Sequence, residues 1–204
     1  EIKRRFALTP RALRLLIVSF LLFSLATMLA ARWLDALRPA MFPLPYILAT
    51  GMGLLLLLVA PLFLIAGNGL AFPVEAGLRR LYRERARRVL RRLEPVVIGI
   101  TGSYGKTSTK HFLAHILGGR YDVLATPKSY NTLMGVCLAI NSQLRDIGRL
   151  DYFIVEMGAY VEGEIAEICR LTRPQISLVT AVGPQHLERF GSLEAVANAK
   201  YEIV

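Results

Sequence analysis

Hydrophobic and polar positions follow two different rhythms along this chain. Residues 15–31 and 44–67 each run without a charged side chain, and the second run includes five consecutive leucines at 54–58. At about 1.5 Å per residue the first makes about 25 Å of helix, and snorkelling by Arg14 and Arg32 lets residues 13–34 span an apolar layer. The second is long enough to cross with some tilt; Pro61 is expected to kink it, and Gly51 and Gly53 to admit a close neighbour. The short connection at 35–43 predicts an antiparallel hairpin. Between 74 and 93 the spacing of Val74, Leu78, Leu81, Tyr82, Ala86, Val89, Leu90 and Leu93 predicts one apolar face of a helix, with eight arginines on the other. Such a helix is expected to lie on anionic membrane lipids. Glu94-Pro95 ends it.

Beyond Pro95 the rhythm shortens. Residues 96–100, 121–125, 152–156 and 176–181 predict strands separated by helices, the pattern of a parallel α/β sheet with ligands at the carboxyl ends of its strands. Three regions follow: a membrane anchor at 1–73, a basic amphipathic helix at 74–94 and an α/β domain at 95–204. Charge supports the division, since the whole net charge of +10 falls in residues 1–94 while residues 95–204 balance. Basic residues that flank apolar spans belong to membrane topology rather than to nucleic-acid recognition, and nucleic acid is excluded as a partner. Five basic residues before the first span, few in the turn and many after the second predict a multi-pass protein of the bacterial inner membrane with both ends cytoplasmic. Cys137 and Cys169 are read as reduced thiols, and His111 and His115 as structural, because Phe112 occupies the place of the glutamate that a zinc protease needs.

The candidate chemistry starts after the strand at 96–100. Thr101, Gly102, Ser103, Tyr104, Gly105, Lys106, Thr107 and Ser108 form a shortened phosphate-binding loop, with Ile100 where the strict motif has glycine. Two glycines let successive N–H groups turn inward, and the following helix adds its positive end. Lys106 is expected on the terminal phosphates of ATP, and the Thr107 hydroxyl on Mg²⁺. Asn131 follows the second predicted strand, Glu156 ends the third and His186 follows the fourth, so all three are expected at the same sheet edge.

With these motifs stand Thr126-Pro127-Lys128-Ser129-Tyr130-Asn131-Thr132, Glu156-Met157-Gly158-Ala159, Gly163-Glu164-Ile165-Ala166, His186 to Ser192 and Ala199-Lys200-Tyr201-Glu202-Ile203. In this order they resemble the Mur ligase family over residues 96–204, its central ATPase domain, and within it most the D-alanyl-D-alanine-adding, MurF-like branch. The resemblance implies an ATP-dependent amide ligase acting through an acyl phosphate on a cell-wall precursor and an amino acid or dipeptide. It implies Lys106 on the β and γ phosphates, Asn131 near the nucleotide, and Thr107, Glu156 and His186 at metal ions. Lys200 corresponds to the family's carbamylated lysine, a further metal ligand if so modified, and Lys106, His186 and Lys200 are the implied catalytic set.

Two departures bear on substrate. The family's sugar-nucleotide domain is replaced by the apolar hairpin, and the sheet looks incomplete at residue 204, so a fragment of a longer protein is expected. A nucleotide-binding scaffold without ligase activity is the alternative from another class. A membrane kinase of the polysaccharide-export type is disfavoured by the Glu156, His186 and Lys200 set.

Overall fold

The computed structural model describes residues 9–37, 44–127 and 130–204. Lys3, Arg4 and Arg5, the turn with Arg38, and Lys128 and Ser129 of the expected motif lie outside the described residues. The chain divides into two compact units between Gly77 and Leu78.

In the first unit, helix α1 (Pro10–Leu37) is opened by Thr9, whose hydroxyl accepts from the Ala12 N–H, and by a proline whose missing N–H costs nothing at a helix start. Helix α2 (Leu44–Leu93) begins in this unit. Phe23 meets Phe63 edge to face with ring centroids 5.5 Å apart, and Arg14 pairs with Glu75. The close approach falls at Gly67, where an added Cβ would lie 2.4 Å from Ser19 Oγ; Gly51 and Gly53 face open space. Large apolar side chains stay uncovered, Phe20, Leu57 and Leu58 among them. Both helices are long and apolar enough to cross a membrane by length and composition.

Helix α2 is continuous. Pro61 and Pro73 lie inside it, and the expected separation at residue 73 between a span and a basic helix is not a break in secondary structure. Its last turns belong to the second unit, where Ala86 and Leu90 are buried in the core and Val89 and Leu93 pack against it. The end of the apolar face expected on lipid therefore packs into the α/β core, while Val74 and Leu81 nearer its start stay exposed. Arg92 fastens it by donating to the carbonyls of Leu144, Arg145 and Ile147 at 3.2, 2.6 and 3.2 Å, satisfying acceptors that a helix end leaves bare.

The second unit is a parallel sheet of β1 (Val96–Thr101), β2 (Val123–Ala125), β3 (Tyr152–Glu156) and β4 (Ile176–Val179) in the order β2-β3-β1-β4. Val96 pairs with Tyr152 and Ile98 with Ile176, so β1 is central and buried on both faces. Alternation along the strands separates two cores. Ile98, Ile100 and Ile154 face Leu113 and Leu117 of α3 (Lys106–Gly118). Val97, Phe153 and Val155 face the other way, into a cluster with the end of α2, Val136 of α4 (Leu133–Ala139), Ile140 and Leu144 of the π-helical turn that continues it, Ile165 and Ile168 of α5 (Glu164–Thr172), and Ile203. A short α6 (Leu187–Phe190) and α7 (Leu193–Tyr201) follow β4.

Three boundaries differ from the sequence expectation, each for a local reason. Strand β2 starts at Val123 because the Asp122 N–H donates to the Asp151 carboxylate while its carbonyl takes the Asp151 and Tyr152 N–H groups in a turn. Strand β4 stops at Val179 because Thr180 turns to bond the loop after β1. Helix α3 starts at Lys106, directly after the left-handed Gly105, so that the last three residues of the expected loop form its first turn.

Candidate nucleotide-binding site

The loop from Gly102 to Gly105 leaves the central strand in a conformation only glycine adopts cheaply: φ is +143° at Gly102 and +80° at Gly105. At Gly102 a Cβ would also lie 2.1 Å from Thr180 Oγ1. The loop is held from both sides. Ser103 Oγ donates to the Gly183 carbonyl and accepts from the Gly183 N–H, each at 3.0 Å, and the Ser103 N–H bonds the Ala181 carbonyl at 2.7 Å. Thr180 Oγ1 bonds the Tyr104 carbonyl at 2.6 Å, and the buried Thr101 hydroxyl donates to the Met157 carbonyl at 3.0 Å. Tyr104 is exposed, one ring edge lying over Gly183. No side chain caps the start of α3, so the first N–H groups of a thirteen-residue helix and its positive end stay available to an anion.

Lys106 folds back onto its own loop and donates to the carbonyls of Gly102 and Ser103. Burial pushes its amine below the ordinary lysine range, partly offset by the charge of Glu156. Thr107 Oγ1 donates to Glu156 Oε2 at 3.0 Å, Asn131 Nδ2 to Glu156 Oε1 at 3.3 Å, and Thr126 Oγ1 accepts the Glu156 N–H at 3.1 Å. Three residues distant in sequence thus meet at the end of β3. Ser108 is exposed beside them.

Lys200, buried on α7, comes close enough for its pKa to be lowered by burial first and by the charge of Lys106 second. Lys200 thus adds a second positive charge within electrostatic range of Lys106. His186 is placed differently. It holds a left-handed backbone (φ +57°), its ring lies 4.7 Å from that of Tyr160 at a tilt of 59°, and Nδ1 lies 3.9 Å from Glu188. Among the described residues no group of three or more His, Cys, Asp and Glu could hold a metal, so Glu156 and His186 do not form a ready-made cluster. The hard-oxygen pair of Thr107 and Glu156 does suit Mg²⁺, which takes few protein ligands and completes its shell with phosphate and water.

One residue of the site was missed in the sequence. Lys110, fully buried, sets Nζ 2.9 Å from Glu156 Oε2. The available signal was its spacing, one helical turn after Lys106, on the α3 face that meets the sheet. His111 and His115 are exposed on the same helix; Cys137 is buried, Cys169 partly so, and both are free thiols.

Fold and loop together define an α/β domain of the nucleotide-binding class, with a loop of phosphate-binding type at the carboxyl edge of a parallel sheet. The Mur ligase middle domain model matches residues 100–204, and the chain belongs to the Mur ligase family. Over 107 residues it is 43% identical to the UDP-N-acetylmuramoyl-tripeptide–D-alanyl-D-alanine ligase of Mycobacterium tuberculosis, covering 52% of this chain and 20% of the relative. The Escherichia coli ligase of the same name is 41% identical over 125 residues, 61% of this chain and 27% of the relative. Among solved structures, MurF ligase from Thermotoga maritima in complex with ADP aligns with a TM-score of 0.57 and 35% identity over 62% of this chain and 29% of that one. MurF from Acinetobacter baumannii gives 0.57 and 30% over 61% and 27%. The chain spans about a quarter of the length of these relatives.

The expected location in the bacterial inner membrane does not stand beside these comparisons. The relatives are ligases named for a nucleotide-linked peptide substrate, and the two apolar helices meet a test of length and composition that core helices and leader segments also meet.

Proposed function

We propose that this chain carries the ATP-binding part of an amide ligase that joins D-alanyl-D-alanine to a UDP-N-acetylmuramoyl-tripeptide. The observation that carries the reading is the meeting of Thr107, Asn131 and Glu156 beside an uncapped phosphate loop onto which Lys106 folds.

The reaction brings like charges together. A carboxylate oxygen of the peptide bonds to the γ-phosphorus of ATP as the β–γ bridge breaks and ADP leaves. The dipeptide amine then bonds to the acyl carbon, loses a proton, and phosphate departs. Attack of an anion on an anion needs fixed positive charge more than a strong base. Lys106 leaves its loop carbonyls for the phosphates, an exchange made easier because those carbonyls are weaker partners than a phosphate oxygen. Thr107 and Glu156 would hold Mg²⁺, which supplies charge neutralisation when bound. Asn131 fixes the Glu156 carboxylate from its other oxygen. His186, beside Tyr160, would be a second residue to hold the ion. A lysine with a lowered pKa offers the neutral amine that reacts with CO₂, so Lys200 suits carbamylation.

Phosphate release with ATP, Mg²⁺ and bicarbonate tests the proposal. Release that requires the muramoyl tripeptide and D-alanyl-D-alanine together supports it. ATP binding with no release from any peptide and amine pair would put the scaffold reading in its place.

A further inference from the structure

At the opposite edge of the sheet from the nucleotide loop lies a cleft of about 550 Å³. Strand β1 leads into the phosphate loop after Thr101, whereas the cleft is lined by Val97 near the strand's other end, by Arg87, Arg91 and Glu94 at the end of α2, and by Arg170 and Arg173 at the end of α5. Six strand residues rise about 20 Å, so the cleft and the nucleotide loop stand a sheet's length apart. Four arginines against one glutamate make the lining strongly positive.

Arginines near a helix end often do no more than bond free carbonyls, as Arg92 does at Leu144 and Arg145. Those of the cleft differ. Arg87 pairs with Glu84 at 2.9 Å, but the side chains of Arg91, Arg170 and Arg173 make no hydrogen bond or ion pair among the described residues. The backbone supplies an independent observation. Helix α2 ends at Glu94-Pro95 and α5 at Arg173-Pro174, and the residue before each proline is left-handed, with φ of +43° and +50°. Glycine fills such a position most cheaply, because a Cβ crowds the neighbouring carbonyl. Both places hold a long charged side chain instead. Among the described residues the one other non-glycine residue with positive φ is His186 of the nucleotide site, and strain of this kind gathers where a side chain has a use.

We propose that this cleft binds a small phosphate-bearing anion of at least two negative charges, with Arg91, Arg170 and Arg173 donating to its oxygens. A guanidinium fork fits two phosphate oxygens at once, and the volume suits a small molecule rather than a chain segment. The phosphate is either free in solution or carried on a lipid headgroup, and the recognition chemistry is the same for both. Nothing in the site draws on the nucleotide loop, and it stands apart from the ligase reading.

The test is calorimetric titration of the full chain in nonionic detergent with pyrophosphate, after a non-hydrolysable ATP analogue has filled the phosphate loop. Binding of pyrophosphate is expected, weakened at least tenfold in Arg170→Gln. Arg80→Gln removes an exposed charge of α2 outside the cleft and should change the affinity less than twofold. Arg173→Gly relieves the left-handed backbone, so its thermal melt should be no lower than the parent's while pyrophosphate binds at least tenfold more weakly. Lys106→Ala should lose the ATP analogue and keep pyrophosphate. No pyrophosphate binding by the wild-type chain, unchanged affinity in Arg173→Gly, equal losses in Arg80→Gln and Arg170→Gln, or loss in Lys106→Ala each overturns the proposal. Dihexanoyl phosphatidic acid, titrated in the same way, identifies the source: binding tighter than that of pyrophosphate assigns a lipid headgroup, and weaker binding assigns a free phosphate compound. Turnover keeps the two readings apart. Pyrophosphate binding without ligase turnover leaves the cleft and removes the ligase, whereas turnover without pyrophosphate binding does the reverse.

Discussion

Lys110 Nζ lies 2.9 Å from Glu156 Oε2 beneath the phosphate loop, with both side chains withdrawn from solvent. Removing one partner strands the other as a buried charge. Lys110→Met is therefore expected to cost about 3–5 kcal/mol in urea unfolding, and the double variant Lys110→Met with Glu156→Gln to recover much of it, because the desolvation penalty leaves with the pair. Equal stability of single and double variants would show that the pair is not coupled.

Gly102 and Gly118 make a matched pair of glycine tests. At Gly102 alanine meets both a positive φ and Thr180 Oγ1 at 2.1 Å, while at Gly118 nothing lies within 4 Å. Gly102→Ala should lose nucleotide affinity at least tenfold, read by fluorescent ATP-analogue titration. Gly118→Ala should keep it and gain up to about 1 kcal/mol from helix propensity.

Lys106→Ala is expected to abolish analogue binding while the far-ultraviolet circular dichroism stays that of the parent. In the wild-type protein burial holds the Lys106 amine below its ordinary pKa, so the fold favours the neutral form. Its cost to stability is fully present below that lowered pKa and is relieved as pH rises through it. Phosphate favours the ammonium instead. Analogue affinity should thus fall as pH rises through the lowered pKa, with proton uptake on binding in that window, measurable by calorimetry in two buffers of different ionisation enthalpy.

Glu202, just past α7, accepts the N–H groups of Gly163 and Ala166 at the start of α5. The carboxylate caps one helix from the end of another. Glu202→Ala should cost about 1–2 kcal/mol of stability, and a thermal melt unchanged from the parent would remove this role.

Much of the second unit is legible from residue order. The strand runs with β-branched residues on both faces, the glycines before Lys106 and the helical spacing after them each demand a local conformation, and local conformation is what sequence encodes most directly. Lys110 and Glu202 were not legible in their roles. Their partners sit 46 and 36 residues away, and only the sheet order β2-β3-β1-β4 brings those ends together. The basic helix shows the same limit from the other side. Its apolar stripe is plain at 74–93, but a stripe says that a face must be covered and not by what; Ala86 and Leu90 are covered by the domain's own core.

By itself the sequence determined the phosphate loop, the parallel α/β architecture, the family, and two helices apolar enough to cross a membrane, because each follows from periodicity or from short contiguous motifs. Tertiary structure alone decided that α2 is one unbroken helix, that Glu156 is shared by Thr107, Lys110 and Asn131, and that His186 lies beside Tyr160. These are long-range meetings. They depend on which strand lies beside which, a choice made by the packing of the whole unit rather than by any one segment.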